Sequence, residues 1–170
     1  FCCEFEPVDQ FFFLMMRRPP RSTPLIQMII AVGLILVMAV IIDEPEVHVA
    51  VRVVVGTATG VAGAILMVLA TTRFRRAATT VDPVNPAKTE ALVTSGVFGH
   101  TRNPMYVAMA LWLVMVCMVA QSMVGLLVVP LFVLSLTRNQ IRREEAALTK
   151  LFGEDYIEYQ RTTPRWLLGS

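Results

Sequence analysis

The sequence predicts an all-α integral membrane protein with about four transmembrane helices. The last two are predicted to form a short helical hairpin, and an amphipathic cytoplasmic helix is predicted to follow them. Of the 170 residues, 55% are hydrophobic and only 16% are charged. An average soluble domain has about 25% charged residues. The apolar residues lie in long runs separated by short polar segments, which is the pattern of helices that cross a bilayer.

The first two helices are predicted from two apolar runs near the start of the chain. Residues 1–23 have no initiating Met and are oddly assorted, so we expect a non-native or disordered leader and leave them out of the fold; the alternative is a basic cytoplasmic extension before the first span. Residues 25–42 and 49–72 are apolar over the length of about 20 residues that a bilayer requires. In the second run Gly56, Gly60 and Ala64 recur at every fourth position, a spacing that allows close helix packing in lipid.

The basic residues predict the orientation of these spans. Arg73, Arg75 and Arg76 follow the second run directly, whereas the turn at residues 43–46 carries no Lys or Arg. Basic residues at the ends of spans mark the cytoplasmic side. We therefore expect the end of the second span, and the polar segment after it, to lie in the cytoplasm. The compact chain looks bacterial, so we expect the membrane to be a bacterial inner membrane.

The predicted hairpin comes from the apolar run at residues 105–136. A single helix of that length would measure about 48 Å, because each residue adds 1.5 Å. The hydrocarbon core of a bilayer is only about 30 Å thick. Gln121 and Ser122 interrupt the run near its middle, so we predict two short antiparallel helices that return the chain to the basic side at Arg138.

The amphipathic helix is predicted over residues 139–152. Its apolar positions, at the helical period, are Ile141, Leu148, Leu151 and Phe152. Glu144 and Glu145 fall within this apolar sector, where a carboxylate is costly unless it is paired or used. Two compatible interpretations remain open: a salt bridge to Arg102 or Arg138, or a role in a functional site.

The most informative segment is the polar loop at residues 94–106, which leads into the hairpin. Pro104 suits the first turn of a helix, and Gly96 and Gly99 allow a ligand to approach the main chain. Arg102 and His100 would then lie at the mouth of a buried helix. Charge at that place is expensive unless it serves a function.

The loop and the residues after the hairpin resemble one family of membrane enzymes. Three motifs carry the resemblance, and they are Ser95-Gly96-Val97-Phe98 with Arg102-Asn103-Pro104-Met105-Tyr106, then Glu144-Glu145 with Phe152-Gly153-Glu154, Tyr156 and Tyr159, and finally Pro164-Arg165-Trp166. Together, over about residues 74–168, they resemble the isoprenylcysteine carboxyl methyltransferase and phospholipid methyltransferase superfamily. Ala108 departs from the pattern, since it occupies a position that is usually glycine.

The resemblance implies a methyltransferase domain at residues 24–170 that uses S-adenosylmethionine and needs no metal. The acceptor would be lipophilic, either an isoprenylcysteine-type carboxylate or a lipid amine. Arg102 and Glu145 are the implied catalytic residues, with Glu145 or His100 as the base for an amine acceptor. The implied cofactor-binding residues are Gly96, Phe98, His100, Arg102, Asn103, Pro104, Tyr106, Glu144 and Glu145.

Two other functions are weighed against this one. A membrane reductase of the steroid-reductase type, using NADPH, is expected to carry an acidic residue soon after the tyrosine of the loop, but residues 107–110 are apolar. The other alternative is a non-catalytic membrane scaffold or transporter subunit, but the predicted spans carry no charge other than Arg52 at an edge, so no ion pathway is visible. For partners we expect membrane lipids and a lipophilic or lipid-modified substrate, and we expect no nucleic acid.

Overall fold

A computed structural model describes residues 24–79 and 92–167, and all the regular structure in these residues is helical. The all-α prediction is confirmed. The six α-helices in these residues are α1 Pro24–Ile41, α2 Val49–Thr79, α3 Pro104–Ala120, α4 Val128–Leu136, α5 Arg142–Phe152 and α6 Glu154–Thr162. The predicted leader at residues 1–23 lies outside the described residues.

The described helices include three stretches that are long and apolar enough to cross a membrane. They are Pro24–Ile41, Val49–Arg73 and Val124–Phe152, and the 17-residue helix α3 is a shorter apolar helix. Helices α1 and α2 leave many of their large aliphatic side chains exposed, as lipid-facing helices do. This arrangement fits an integral membrane protein whose third and fourth apolar segments form the predicted hairpin.

The turn of the hairpin is held by a carboxylate from the loop between α1 and α2. Gln121 ends α3 in the left-handed conformation, with φ of 58°. Glu44 then accepts hydrogen bonds from the Ser122 hydroxyl at 3.1 Å and from the backbone N–H groups of Met123 at 2.7 Å and Val124 at 3.0 Å. These N–H groups begin a helical segment and have no partner within it, so Glu44 acts as its cap.

Arg52 satisfies the other helix end at this turn. Its Nε donates to the carbonyl of Met118 at 3.0 Å, and its Nη2 donates to the carbonyl of Val119 at 3.4 Å. The last carbonyls of a helix lack intrahelical donors, and a basic side chain there also complements the helix dipole. The acidic turn, Arg52 and the hairpin turn therefore share one end of the bundle.

Helices α2 and α3 pack closely because three glycines of α2 face α3. Gly56 and Gly60 contact the side chains of Met118 and Met115. The third close contact is made by Gly63, which is buried, whereas the predicted Ala64 is exposed. The expectation for Ala64 is thus wrong by one position, because three successive contacts at four-residue spacing drift off the face of a helix with 3.6 residues per turn.

Gly63 also lies against Ala108, the position where the family that the sequence resembles usually has glycine. A Cβ atom on Gly63 would lie 2.6 Å from Trp112 Nε1 and 3.1 Å from the backbone oxygen of Ala108. Ala108 is fully buried. The close approach of the two helices therefore depends on the glycine of α2.

Substitution of Gly63 by alanine is expected to lower the stability of the helix pair. Because the new methyl group would meet backbone as well as the indole ring, we expect a loss of about 1–3 kcal/mol. Thermal unfolding in one detergent measures it. Gly33→Ala is the matched control, since nothing lies within 4 Å of a Cβ atom there. Equal midpoints for the two variants would show that Gly63 does not set the helix contact.

A π-helical turn at Thr137–Ile141 joins α4 to α5, so the predicted amphipathic helix continues the second arm of the hairpin. The buried positions along this stretch are Val128, Phe132, Leu136, Ile141 and Glu145. Their spacing is four, four, five and four, and the extra residue falls in the π-helical turn. An uninterrupted helix with 3.6 residues per turn would place the core-facing positions after Leu136 at about 140 and 143. The turn thus brings Glu145 to the core side.

Candidate active site

The candidate site lies where the loop before α3 packs against the segment after α6. The backbone N–H of Arg102 donates to the carbonyl of Pro164 at 3.0 Å. The carbonyl of Arg165 accepts from the hydroxyl of Thr101 at 3.0 Å and from the side-chain amide of Asn103 at 3.1 Å. These bonds join two segments about 60 residues apart in sequence. They hold the backbone of Arg102 close to the backbone of Arg165.

The glycine-bearing part of the loop packs against the end of α2. Gly96 has φ of 67°, and a Cβ atom there would lie 3.2 Å from Arg73 Nε. Positive φ and this close approach both favour glycine. Because Arg73 ends the second span, the loop lies at the opposite end of that span from Arg52. The site and the Glu44 turn are therefore at opposite ends of the bundle.

Tyrosines of α6 hold the rest of the loop. The hydroxyl of Tyr159 donates to the carbonyl of Phe98 at 2.6 Å. Burial raises the pKa of Tyr159 to about 12, and the neighbouring Tyr156 adds to the shift while Arg102 opposes it. Burial also raises the pKa of Tyr156, with a further contribution from Glu145. Both phenols therefore stay protonated at neutral pH and remain hydrogen-bond donors.

At the centre of the site Glu145 is paired with two arginines. It is 8% exposed. Arg165 binds it through both carboxylate oxygens, with Nε 2.9 Å from Oε1 and Nη2 2.6 Å from Oε2. Arg102 Nη1 approaches Oε1 at 3.0 Å. Hydrogen bonding to Glu145 raises the pKa of Arg165, so that this guanidinium remains charged. One carboxylate against two guanidinium groups leaves a net charge of +1.

Arg102 is buried, and two of its guanidinium nitrogens make no hydrogen bond within residues 24–79 and 92–167. Its side chain is 9% exposed, and its Nε and Nη1 have no hydrogen-bond partner among the described residues. The 3.0 Å approach of Nη1 to Glu145 is thus an electrostatic contact whose angles are poor for a hydrogen bond. An unpaired buried donor costs about 1–3 kcal/mol and calls for a partner. The Nε of Arg102, and its Nη1 beside the ion pair with Glu145, could donate to an anionic oxygen of a ligand.

The second glutamate makes a separate cluster on the flank of α5. Glu144 Oε1 accepts from the hydroxyl of Tyr106 at 2.8 Å and from Nε2 of Gln140 at 2.6 Å. Tyr106 lies four residues after Arg102, in the first turn of α3, and Glu144 directly precedes Glu145. The two clusters are therefore neighbours, one cationic and one anionic.

The structure brings together most of the predicted site residues but not all of them. The residues that meet in the two clusters or in the loop that supports them are Phe98, Arg102, Asn103, Pro104, Tyr106, Glu144 and Glu145. Gly96 and His100 are exposed on the loop, away from these contacts. The salt bridge from Glu145 to Arg102 is present, and Arg138, the other partner considered, is exposed.

Three residues of the site are missing from the sequence prediction: Arg165, Thr101 and Gln140. Arg165 is part of the third motif, yet nothing in its spacing indicates a pair with Glu145. Thr101 supports the loop through its hydroxyl, which also accepts from the N–H of Asn103 at 3.2 Å. Gln140 lies four residues before Glu144, a spacing that signals a side-chain contact on a helix.

Comparison with known proteins decides the family. The profile of the phospholipid methyltransferase family matches residues 51–155, more than half of the chain. The chain belongs to the phospholipid methyltransferase family. The matched region runs from α2 to the start of α6, so it contains Arg102, Tyr106, Glu144 and Glu145. Arg165 lies beyond it.

The chain is also similar to individual proteins named protein-S-isoprenylcysteine O-methyltransferase. The Schizosaccharomyces pombe protein is 31% identical over 77 residues, which are 45% of this chain and 33% of that protein. The Mus musculus and Homo sapiens proteins are each 33% identical over 79 residues, which are 46% of this chain and 28% of theirs. The chain thus spans about a third of the length of the curated relatives it matches. No solved structure shows a significant match.

Proposed function

We propose that the protein is an S-adenosylmethionine-dependent methyltransferase that acts at the membrane on a lipophilic acceptor. The observation that carries the proposal is the buried Arg102, whose Nε and Nη1 lack hydrogen-bond partners in a region matched by the methyltransferase family. The α-carboxylate of S-adenosylmethionine fits these donors, since a guanidinium group can hold a carboxylate bidentately.

The residues of the chain would bind, align and exclude water. When bound, S-adenosylmethionine supplies a methyl group already activated by its sulfonium. Arg102 would hold the carboxylate of the cofactor, and Glu145 and Arg165 are the positioning residues that fix Arg102. Alignment of donor and acceptor can contribute about 7–11 kcal/mol to the lowering of a barrier. Glu145, whose two oxygens are both paired with Arg165, is better suited to this positioning role than to that of a base.

The acceptor is proposed to be lipophilic because the site lies at the end of helices with lipid-facing aliphatic surfaces. The relatives named above act, by their names, on an S-isoprenylated cysteine. For this chain, methylation of such a carboxylate and methylation of a lipid amine both fall within the proposal. The family match gives no support to the NADPH-dependent reductase.

Equilibrium binding to the detergent-solubilised protein tests the proposed cofactor. We expect saturable binding of S-adenosylmethionine and of S-adenosylhomocysteine, and no saturable binding of NADPH in the same buffer. Binding of NADPH alone would replace the methyltransferase by the reductase. Absence of binding by all three nucleotides would favour the scaffold.

We also propose that the site faces the cytoplasm. The loop packs against Arg73, beside the basic residues Arg75 and Arg76 at the same helix end. In a bacterial inner membrane, reporter fusions after Arg76 and after Ser170 should therefore both give cytoplasmic signals. A periplasmic signal at either position would contradict this orientation.

A further inference from the structure

A cavity of about 330 Å³ lies between α2 and α3, near the hairpin turn. Its walls are mainly aliphatic and include Val53 and Gly56 of α2 and Met115, Met118 and Val119 of α3. Val53 and Val119 are 60% and 71% exposed, so the cavity opens on the lipid-facing side of the helix pair. None of these residues belongs to the candidate active site.

The walls of this cavity suit an alkyl chain. Water is held poorly in an apolar cavity, because it finds too few polar partners there. Gly56 presents no side chain, and Met115 and Met118 have unbranched, flexible side chains that adapt to the shape of a neighbour. In a bilayer, lipid acyl chains are the alkyl groups at hand. The cavity therefore fits an acyl chain that lies along the contact between α2 and α3.

Arg52 lines the same cavity on the side of the hairpin turn. Its Nε and Nη2 donate to the carbonyls of Met118 and Val119, and its Nη1 makes no hydrogen bond within the described part of the chain. None of the ion pairs found among the described residues includes Arg52. The guanidinium group thus keeps one nitrogen and its charge available for an anionic oxygen, and a phosphate oxygen is well suited to it.

The depth of Arg52 in the membrane matches that of a lipid phosphate. The stretch Val49–Arg73 has 25 residues and is about 37 Å long at 1.5 Å per residue, whereas the hydrocarbon core is about 30 Å thick. Its two ends therefore reach the head-group layers, and Arg52 lies close to the first of them. Because the candidate active site packs against Arg73 at the other end, the cavity belongs to the opposite leaflet.

The loop before α2 selects the kind of head group. It carries Asp43, Glu44 and Glu46, of which Glu44 is bound at the hairpin turn and the other two are exposed. Three carboxylates and one guanidinium group make this end of the bundle acidic, which disfavours a lipid with a net negative charge. A zwitterionic head group supplies a phosphate for Arg52 and an ammonium group that the carboxylates attract.

We propose that this cavity is a binding site for one zwitterionic phospholipid of the leaflet opposite the candidate active site. One acyl chain lies between α2 and α3, and the phosphate accepts from Nη1 of Arg52. The bound lipid contacts both helices and so stabilises their pairing. This inference does not depend on the proposed methyltransferase function.

Thermal unfolding of the full chain in dodecyl maltoside tests the site. Addition of dioleoylphosphatidylethanolamine should raise the midpoint until it saturates, as expected for a ligand that binds the folded state. Dioleoylglycerol has the same acyl chains without the phosphate, and it should need at least about tenfold more lipid for the same shift, because it lacks the hydrogen bond between charged groups. Phosphatidylglycerol, which carries a net negative charge, should produce a smaller shift than phosphatidylethanolamine.

A substitution within the cavity tests the place of the acyl chain. Thr57 lines the cavity, so Thr57→Trp would fill it with an indole ring and should abolish the shift while leaving the bonds of Arg52 intact. Val54→Trp is the matched control, because Val54 is 65% exposed on the same helix and lies outside this cavity. It should respond to the lipid as the parent protein does.

Substitution of Arg52 tests the place of the phosphate. Arg52→Gln keeps a donor for a helix carbonyl but removes the charge, and it should weaken the apparent affinity for phosphatidylethanolamine at least about tenfold. Arg52 also holds the end of α3, so the lipid-free midpoint of this variant is expected to fall. Each shift is therefore measured against the lipid-free midpoint of the same variant.

Four results would overturn the site. They are no shift in the parent protein, equal shifts with the phospholipid and with dioleoylglycerol, a shift in Thr57→Trp as large as that in Val54→Trp, and an unchanged affinity in Arg52→Gln. A shift with phosphatidylglycerol as large as that with phosphatidylethanolamine would overturn the zwitterionic head group. Failure of the protein to bind S-adenosylmethionine would contradict the proposed function and leave these expectations unaltered, so the two failures are told apart.

Discussion

Arg102→Ala should weaken the binding of S-adenosylmethionine by at least about tenfold, because a hydrogen bond between charged groups contributes roughly 1.5–3 kcal/mol. The protein should still insert and fold. Arg165 binds both oxygens of Glu145 at 2.9 and 2.6 Å, so the carboxylate keeps a partner when Arg102 is removed. The measurement is equilibrium binding to the solubilised variant, with its thermal midpoint recorded in the same detergent.

Two further substitutions sharpen this expectation. Arg143→Ala removes an exposed arginine from α5 and should leave binding unchanged. Arg102→Lys keeps the charge but loses the planar pair of donors, so it should restore only part of the affinity. Full affinity in Arg102→Ala would place the cofactor carboxylate elsewhere.

Glu145→Ala should have the largest effect on stability. Arg102 and Arg165 would then be left near each other with no counter-charge, and breaking a buried ion pair in this way costs about 3–5 kcal/mol. Arg165 is about one-third exposed at its side chain, which places the expected loss at the lower end of that range. The free energy of unfolding in a fixed detergent measures the change.

Removal of an exposed carboxylate provides the comparison for Glu145→Ala. Glu158 pairs with Arg161 at 3.6 Å on the surface of α6, where both side chains are mostly exposed. Glu158→Ala should therefore change stability by less than about 1 kcal/mol. Similar losses for the two variants would show that the pairing of Glu145 with the arginines does not stabilise the fold.

The sequence predicts the helical class and the hairpin because both follow from hydropathy and length. The mostly apolar run at 105–136 is 32 residues long, which is too long for one crossing, and Gln121 with Ser122 interrupts it near its middle. The role of Glu44 is not predictable in this way. The sequence does not indicate which helix end a loop carboxylate will cap, and the residues that Glu44 binds lie about 80 positions further along the chain.

The site is predictable in part for a similar reason. Glu144 and Glu145 are candidates because carboxylates are costly in an apolar sector, and Arg102 is a candidate because it lies just before a buried helix. The π-helical turn shifts the core-facing positions of the helix by one residue, and this shift determines that Glu145 is buried whereas Glu144 lies on the flank. Hydrophobic periodicity at 3.6 residues per turn gives no sign of that shift. The pairing of Arg165 with Glu145 depends on how the segment after α6 folds back.

Transfer of a labelled methyl group tests the central claim most directly. Membranes that contain equal amounts of inserted parent protein or Arg102→Ala would be incubated with S-adenosylmethionine labelled on its methyl carbon, and the label in the lipid-soluble fraction would be counted. The account predicts incorporation with the parent protein and its loss with Arg102→Ala at the same cofactor concentration. No incorporation above empty membranes with the parent, or equal incorporation with both proteins, would contradict it.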